Sequence, residues 1–166
     1  AASGRPVILY NIPSRTGVNL TEAQYAALAG IPNIRAVKEA SGSMAKLTRL
    51  CADGRLAVYS GNDDQILPVA ALGGRGVISV LSNLAPAAVS AMAHAAVDGD
   101  FDTARHLAYK YARLISLLFA ETNPAPLKYA MELLGLSQGE LRLPLAEVGD
   151  GLKTALREEL TALGML

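Results

Sequence analysis

The stretch that decides the fold is Ile34-Arg35-Ala36-Val37-Lys38-Glu39, a short apolar run that ends in a lysine and a glutamate. Such a run predicts a buried strand, which we place at 34–37. Similar runs begin near residues 7, 56 and 77, so the four strand starts are 21 to 27 residues apart. Each interval holds one helix, and this regular alternation predicts parallel strands joined by helical crossovers.

Capping and turn residues set the expected limits of these elements. Thr21 and Gln24 have the spacing of a capping box that opens a helix, and Gly30 is placed to close it. From Pro86 onward the chain is predicted to be helical, with a break at 123–126. The predicted strands cover 7–10, 34–37, 56–59 and 77–81, and the predicted helices between them cover 21–30, 44–53 and 65–72.

The C-terminal segment has the pattern of an amphipathic helix. Asp150 is a suitable N-cap, and leucines recur at helical spacing from Leu152 to Leu163. We expect this leucine stripe to face the core, with Glu158 and Glu159 on the opposite, solvated side.

Four strand–helix units have two structural interpretations. They form one half of a (β/α)₈ barrel or the core of a small doubly wound sheet. The 166 residues of the chain are too few for a complete barrel, which typically needs ~250. The chain lacks an initiator methionine and enters a strand almost at once, so we expect a fragment or a processed product.

The composition excludes several classes of function. Lys plus Arg and Asp plus Glu number 15 each, so the formal net charge is zero and no basic field attracts nucleic acid. No apolar run approaches the ~18 residues of a membrane span, and the N-terminus has no signal region. The single cysteine, Cys51, excludes an internal disulfide and fits a reducing, cytoplasmic compartment.

Three side chains near the predicted strand ends offer chemistry. Lys38 ends its strand where α/β enzymes place their active sites, and a buried lysine amine forms a Schiff base with a carbonyl. Tyr10 ends the preceding strand, where its phenol could relay protons, and Arg15 follows in the next loop, where it could clamp a carboxylate. Taken singly, each has a commoner structural interpretation: a lysine paired with Glu39 or solvated, a core tyrosine and a solvated arginine.

Weaker signals follow the third predicted strand. Gly61 would let a small ligand approach the backbone closely. Asp63 or Asp64 could hold a metal ion, but we favour N-capping of the next helix. The glycine-rich segment 73–76 precedes a strand instead of following one, so we interpret it as a tight turn and not as a phosphate-binding loop.

Together, an amine, a phenol and a guanidinium at neighbouring strand ends suit a lysine-dependent aldolase acting on a keto acid. Five segments extend this interpretation, because each resembles a motif of the 4-hydroxy-tetrahydrodipicolinate synthase (dihydrodipicolinate synthase) family, in the same order. These segments are 10–17 (YNIPSRTG), 37–42 (VKEASG), 60–63 (SGND), 73–79 (GGRGVIS) and the C-terminal pair 123–128 (NPAPLK) and 141–144 (LRLP).

The resemblance implies an α/β fold, the C-terminal half of a TIM (β/α)₈ barrel with strands five to eight and a C-terminal helical region. Residues 1–85 would form the second half of the barrel. Residues 86–166 would form the last barrel helix and the helical region, and the N-terminal half-barrel would be absent.

The resemblance also implies a Schiff-base-forming lyase that condenses pyruvate with aspartate 4-semialdehyde to 4-hydroxy-tetrahydrodipicolinate in lysine (diaminopimelate) biosynthesis. Lys38 would form the imine with pyruvate, Tyr10 would shuttle protons, and Arg15 would hold the carboxylate of the semialdehyde. Gly61 and the backbone carbonyl of Ile78 would line the pyruvate pocket. No metal or organic cofactor is implied, and the family is typically a homotetramer built as a dimer of dimers.

Other interpretations stay open. N-acetylneuraminate lyases and 2-keto-3-deoxy sugar-acid aldolases share the tyrosine and the lysine but usually differ at the position of Arg15. A decarboxylating or dehydrating relative would use the same imine, and a non-catalytic half-barrel binding protein would keep only the pocket. The family's pyruvate-contacting threonine, second relay tyrosine and lysine feedback site belong to the missing half. We therefore expect the chain alone to be inactive and, with two open sheet edges, to aggregate or pair.

Overall fold

The computed structural model describes residues 4–166, and its centre is a four-stranded sheet. The strands are β1 (Val7–Asn11), β2 (Ile34–Glu39), β3 (Ala57–Ser60) and β4 (Gly76–Val77), and they lie side by side in chain order. All three neighbouring pairs are parallel. The predicted alternation of parallel strands and crossover helices is therefore confirmed.

Eight α-helices surround or follow this sheet in the described part of the chain. They are α1 (Pro13–Thr16), α2 (Glu22–Ala29), α3 (Met44–Asp53), α4 (Ile66–Ala71), α5 (Pro86–Val97), α6 (Phe101–Leu118), α7 (Ala125–Leu133) and α8 (Asp150–Ala162). Two single 3₁₀ turns, Asp63–Gln65 and Leu81–Asn83, follow β3 and β4. No helix of residues 4–166 is long and apolar enough to cross a membrane.

Local capping explains where the crossover helices begin and end. Thr21 and Gln24 form the predicted capping box at the start of α2. The hydroxyl of Ser43 accepts a hydrogen bond of 3.3 Å from the backbone N–H of Lys46 at the start of α3. Gly54 ends α3 in the left-handed conformation, at φ 70°, which costs a glycine little.

One face of the sheet, here called the outer face, is packed against the crossover helices. Val37 of β2 and Val58 of β3 lie on it, and they are buried in one cluster with Leu47 of α3 and Val69 of α4. Burying this apolar surface stabilises the fold by about 25 cal/mol per Å² removed from water. A second core holds the C-terminal helices together around Leu114 of α6 and their neighbours on α5, α7 and α8.

The opposite face, here called the inner face, is left open to solvent in part. Ile8 and Tyr10 of β1 are each 51% exposed on it, and Ile78, just after β4, is 37% exposed. A doubly wound sheet has helices on both faces. The exposed inner face and the sequential strand order therefore contradict the doubly wound interpretation and favour a barrel-like arrangement.

The fourth strand is shorter than predicted. The pattern predicts a strand at 77–81, whereas β4 covers only Gly76–Val77. β4 lies at the sheet edge, and a carboxylate oxygen of Asp63, Oδ2, accepts hydrogen bonds from the N–H groups of Val80 at 2.9 Å and Leu81 at 3.0 Å. These bonds turn the chain into a 3₁₀ helix before it can extend further.

The C-terminal helix also differs from its prediction. Gly149 occupies the N-cap position, and Asp150 is the first helical residue. Glu159 is buried instead of solvated, and one of its carboxylate oxygens lies 3.2 Å from Nη1 of Arg113. The hydrophobic pattern of α8 cannot reveal this, because the partner charge comes from α6.

We expect Leu47→Ala to lower the free energy of unfolding by about 2–5 kcal/mol, since this fully buried side chain leaves a cavity in the outer-face cluster. The matched control is Leu143→Ala, because Leu143 is 92% exposed and should change the free energy by less than about 0.5 kcal/mol. Urea denaturation followed by circular dichroism measures both. Equal destabilisation by the two substitutions would contradict the assigned core.

Candidate active site

The inner face brings together the two residues that the sequence singles out for chemistry. Tyr10 of β1 lies directly opposite Lys38 of β2 in the parallel register. The Lys38 amine, Nζ, lies 4.3 Å from the centre of the Tyr10 ring. This is a cation–π distance when the amine is protonated. Both residues lie at the carboxyl ends of their strands, where α/β enzymes place reactive groups.

A third aromatic side chain belongs to the same row, and sequence reasoning missed it. Tyr59 of β3 is the register partner of Lys38 on the other side. Paired residues of parallel strands point to the same face, so Tyr10, Lys38 and Tyr59 follow one another across the inner face. The sequence contained a signal for Tyr59, because it lies at the carboxyl end of the third strand, as Lys38 lies at the carboxyl end of the second.

The pairing of Lys38 with Glu39, one of the two structural alternatives for this lysine, is contradicted. Lys38 and Glu39 are consecutive strand residues, so their side chains point to opposite faces of the sheet. Glu39 is fully buried on the outer face, while Lys38 is half-buried on the inner face. Among the ion pairs of residues 4–166, none involves either side chain.

Gly61 and Ile78 lie on the same edge of the sheet, just past the strand ends. The backbone N–H of Gly61 donates to the carbonyl of Glu39 at 2.8 Å, and the N–H of Ile78 donates to the carbonyl of Ser60 at 2.9 Å. A Cβ at Gly61 would lie 2.4 Å from the Cβ of Ala40. Close approach of the chain at the end of β2 therefore explains this glycine, whereas the sequence predicted close approach of a ligand.

Arg15 lies apart from this row, on a different set of contacts. It is exposed near the end of α1, and its Nη2 donates to the backbone carbonyl of Asn123 at 2.9 Å. Arg15 lines a groove of about 590 Å³ with Glu121, Thr122 and residues 144–147. The guanidinium is thus tied to the α6–α7 connection and opens onto a surface wide enough for a small charged molecule.

A buried carboxylate, that of Glu39, lies beneath the site, whereas the sequence indicated Glu39 only as a partner for Lys38. The carboxylate of Glu39 accepts hydrogen bonds from Nδ2 of Asn11 at 2.9 and 3.0 Å, from the hydroxyl of Tyr25 at 2.6 Å, and from the N–H of Ser41 at 2.8 Å. Four hydrogen bonds satisfy this buried group. The sequence contained a signal for this buried carboxylate: Glu39 is an acidic residue in an apolar strand, and it points to the face opposite that of Lys38.

The network changes the ionisation of Tyr25. Burial, the hydrogen bond to Glu39 and the negative charge of that carboxylate together raise the pKa of Tyr25 well above its ordinary value of 10.0. The folded chain therefore keeps this phenol protonated at a pH where an exposed tyrosine would ionise.

The acidic pair after β3 has a structural assignment. Asp63 is buried and does not cap its own helix, because Asn62 holds that N-cap position. The N-capping prediction is therefore wrong in its target, since Asp63 caps the turn after β4 instead. Asp64 is exposed, and no cluster of three or more His, Cys, Asp or Glu residues within 4–166 could hold a metal ion.

These observations define a class of protein. The chain is an α/β protein with a parallel sheet in chain order, and an amine stands beside a phenol at the carboxyl ends of adjacent strands. A lysine amine in that position is suited to forming a Schiff base with a carbonyl compound.

Comparisons with known proteins give the particular family. The Dihydrodipicolinate synthetase family matches residues 1–163. A 4-hydroxy-tetrahydrodipicolinate synthase of Methanosarcina mazei is 47% identical over 164 residues, which are 97% of this chain and 56% of that protein. The same enzyme of Methanocaldococcus jannaschii is 44% identical over 162 residues, again 97% of this chain and 56% of that protein.

Solved structures agree with the sequence relatives. The crystal structure of dihydrodipicolinate synthase from Thermotoga maritima superposes with a TM-score of 0.95 at 34% identity, covering 99% of this chain and 58% of that one. The enzyme from Aquifex aeolicus gives a TM-score of 0.93 at 40% identity, covering 96% and 56%. The chain therefore belongs to the dihydrodipicolinate synthetase family, and it spans about half the length of the relatives it matches.

We expect Gly61→Ala to destabilise the chain by about 1–3 kcal/mol, because the new methyl group would force the ends of β2 and β3 apart. Gly151→Ala is the matched control, since nothing lies within 4 Å of a Cβ at that position. Thermal unfolding monitored by circular dichroism compares the two variants. A Gly61→Ala variant as stable as the control would contradict the close approach of β2 and β3.

The raised pKa of Tyr25 predicts a pH dependence of stability. The unfolded chain releases this proton near pH 10.0, whereas the folded chain holds it, so the free energy of unfolding falls as the pH rises above that value. Tyr25→Phe should remove this part of the dependence. Tyr109→Phe, at an exposed position, should keep it. Urea titrations between about pH 8 and about pH 11 measure the slopes, and identical slopes for the two variants would contradict the assignment.

Proposed function

We propose that this chain supplies the Schiff-base part of a 4-hydroxy-tetrahydrodipicolinate synthase, a lyase that condenses pyruvate with aspartate 4-semialdehyde in the diaminopimelate route to lysine. The observation that carries the proposal is the pairing of the Lys38 amine with the Tyr10 ring, 4.3 Å from its centre, at the carboxyl ends of β1 and β2. The names of the relatives support the choice of reaction.

The fold supports a place for these strands in a larger barrel. We assign β1 to β4 to strands five to eight of a (β/α)₈ barrel and residues 1–85 to its second half. Residues 86–166 would then hold the last barrel helix and the C-terminal helical region. The share of each relative that the chain covers, about half, and the partly exposed inner face both support this assignment.

Lys38 acts as the nucleophile in the proposed reaction. Its Nζ attacks the C2 carbonyl of pyruvate, and the carbonyl oxygen leaves as water, which gives a protonated imine. Loss of a proton from C3 then gives an enamine, whose electron pair comes from the broken C–H bond. The imine nitrogen serves as the electron sink, so neither a metal ion nor an organic cofactor enters this scheme.

Tyr10 moves the protons of these steps. Its register position beside Lys38 and its partial exposure leave the hydroxyl free to face a substrate on the inner face. A phenol placed beside a reacting amine gives a proton to the departing oxygen and takes one back at a later step. Gly61 and the backbone carbonyl of Ile78, on the same edge of the sheet, would line the pyruvate pocket.

Arg15 selects the second substrate. The enamine carbon attacks the aldehyde carbon of aspartate 4-semialdehyde, and a carbon–carbon bond forms while the aldehyde oxygen becomes a hydroxyl. The amino group of that substrate then attacks C2 and displaces Lys38, which closes the ring. The exposed guanidinium of Arg15, beside an open groove, is suited to hold the substrate carboxylate through two hydrogen bonds.

Oligomeric state and compartment complete the proposal. Exposed apolar side chains on the inner face, Ile8 among them, favour association with further protein. We propose a homo-oligomer, a tetramer built as a dimer of dimers, in the cytoplasm, and we propose that condensation needs the remaining strands of the barrel.

Reductive trapping tests the proposal. The chain is mixed with pyruvate and borohydride, and peptide masses are read; we expect a carboxyethyl group on Lys38 and none on Lys110, an exposed lysine of α6. Tyr10→Phe should slow adduct formation by about 10²-fold, because the proton relay is lost. Lys38→Ala should abolish the adduct.

A folded chain that gives no adduct at Lys38 would contradict the proposal. Condensation with aspartate 4-semialdehyde is assayed separately, with and without a polypeptide carrying the first four strands of a family barrel. We expect turnover only when that polypeptide is added. Turnover of a 2-keto-3-deoxy sugar acid instead would assign the chain to the sugar-acid aldolases, and ligand binding without an adduct would make it a binding protein.

A further inference from the structure

The buried carboxylate of Glu39 joins three elements directly beneath the Tyr10–Lys38 pair. Its hydrogen bonds reach Asn11 at the end of β1, Tyr25 in the middle of α2 and the N–H of Ser41 after β2. The side chain is fully buried, so no solvent replaces these partners if one is lost. Its position makes the carboxylate a fixed point between two strands.

The link to β1 has a defined direction. The amide oxygen of Asn11, Oδ1, accepts a hydrogen bond of 3.1 Å from the N–H of Leu20, so the NH₂ group faces the carboxylate. That NH₂ group also donates to Oδ1 of Asn19 at 3.1 Å, and the amine of Lys46 donates to the same oxygen. Asn11 is therefore held from both sides and donates to Glu39.

Only an acceptor satisfies the partners of Glu39. Asn11, Tyr25 and Ser41 all present N–H or O–H donors to it. A glutamine would place its NH₂ group against the NH₂ group of Asn11, and, although the Tyr25 hydroxyl can also accept, one buried donor hydrogen would lose its acceptor in either orientation of the amide. The chemistry of the three partners therefore calls for a carboxylate at this position.

The register relates this bond to the site. Asn11 and Glu39 are directly opposite each other, and the pair that precedes them in the same register is Tyr10 and Lys38. The first pair points to the outer face and the second to the inner face, one residue away on the same two strands. A shift or separation of the strand ends would therefore move the amine and the phenol relative to each other.

We propose that Glu39 is a positioning residue for the Schiff-base lysine, acting through Asn11 to hold Lys38 and Tyr10 in reacting geometry. This inference rests on the proposed function for its catalytic consequence. The positioning itself is a property of the two strands, and it has a readout that does not need pyruvate.

The test compares four forms of the chain: the wild type, Glu39→Gln, the swap variant Glu39→Gln with Asn11→Asp, and Glu22→Gln. Glu22 is an exposed residue of α2 that pairs with Arg49, so it is the matched control. The swap variant exchanges donor and acceptor between the strands, because the glutamine then donates to the new aspartate. Circular dichroism checks the folding of each form.

Pyruvate trapping is the first readout. We expect Glu39→Gln to lower the initial rate of adduct formation at Lys38 by about 10²-fold, as a misplacement of about 1 Å does in enzymes. Glu22→Gln should react like the wild type. The swap variant should recover to within about tenfold of the wild-type rate, because it restores a hydrogen bond between the two strand ends.

Acylation of Lys38 by N-hydroxysuccinimidyl acetate is the second readout, with Lys110 as the internal reference. We expect Lys38 to acylate about tenfold faster in Glu39→Gln, because the amine leaves the Tyr10 ring, and to return towards the wild-type rate in the swap variant. If the wild type gives no pyruvate adduct but acylation changes in this way, the proposed function fails and the positioning role stands.

Two results would overturn the positioning role. One is a folded Glu39→Gln chain with wild-type rates in both readouts. The other is a folded swap variant that remains as slow in trapping, and as fast in acylation, as Glu39→Gln. If Glu39→Gln does not fold, Asn11→Ala replaces it, because it removes the donor that crosses between the strands and leaves the carboxylate of Glu39 with Tyr25 and Ser41. Wild-type rates in that variant would equally overturn the proposal.

Discussion

The alternation of side chains along β2 is the constraint on which the rest of the structure depends. Val37 and Glu39 point to the outer face, into the helices, and Lys38 between them points to the inner face. A shift of one residue would bury the lysine among the helices and expose the valine, which is why the register is strongly specified. The packing that stabilises the sheet and the placement of the amine are therefore set by the same register.

The strand ends are held by side chains and close backbone contacts more than by long ladders. β3 has four residues and β4 only two, so few ladder hydrogen bonds fix their positions. Gly61 allows the backbone after β3 to approach Ala40, and the carboxylate of Asp63 holds the turn after β4. Gly61 and Asp63 both follow β3. The segment after this short strand therefore positions the carboxyl edge of the sheet, where Ile78 lies.

The sequence predicted the repeated strands and helices, but it did not predict which charged side chains are buried against partners far away in the chain. Strand starts and the capping box at Thr21 follow from local patterns, because period and spacing are visible in a single chain. The Tyr10–Lys38 neighbourhood follows from placing consecutive parallel strands side by side, which brings their carboxyl ends together. The buried state of Glu39 and Glu159 depends on Tyr25 and Arg113, which lie 14 and 46 residues away in the chain. No local pattern contains such a pairing, and a glutamate alone predicts an exposed side chain.

The inner face of the sheet carries both the exposed apolar side chains and the candidate site. Tyr10 is half exposed to water on the inner face, and Ile8 beside it is equally exposed. An imine is hydrolysed by water, so the chemistry proposed at Lys38 would proceed best with solvent excluded from this face. Covering the inner face would bury its apolar side chains, which stabilises the fold, and would also dry the space above the amine. A single face of the sheet presents both the exposed isoleucine and the lysine, so covering that face would complete the core and enclose the proposed site together.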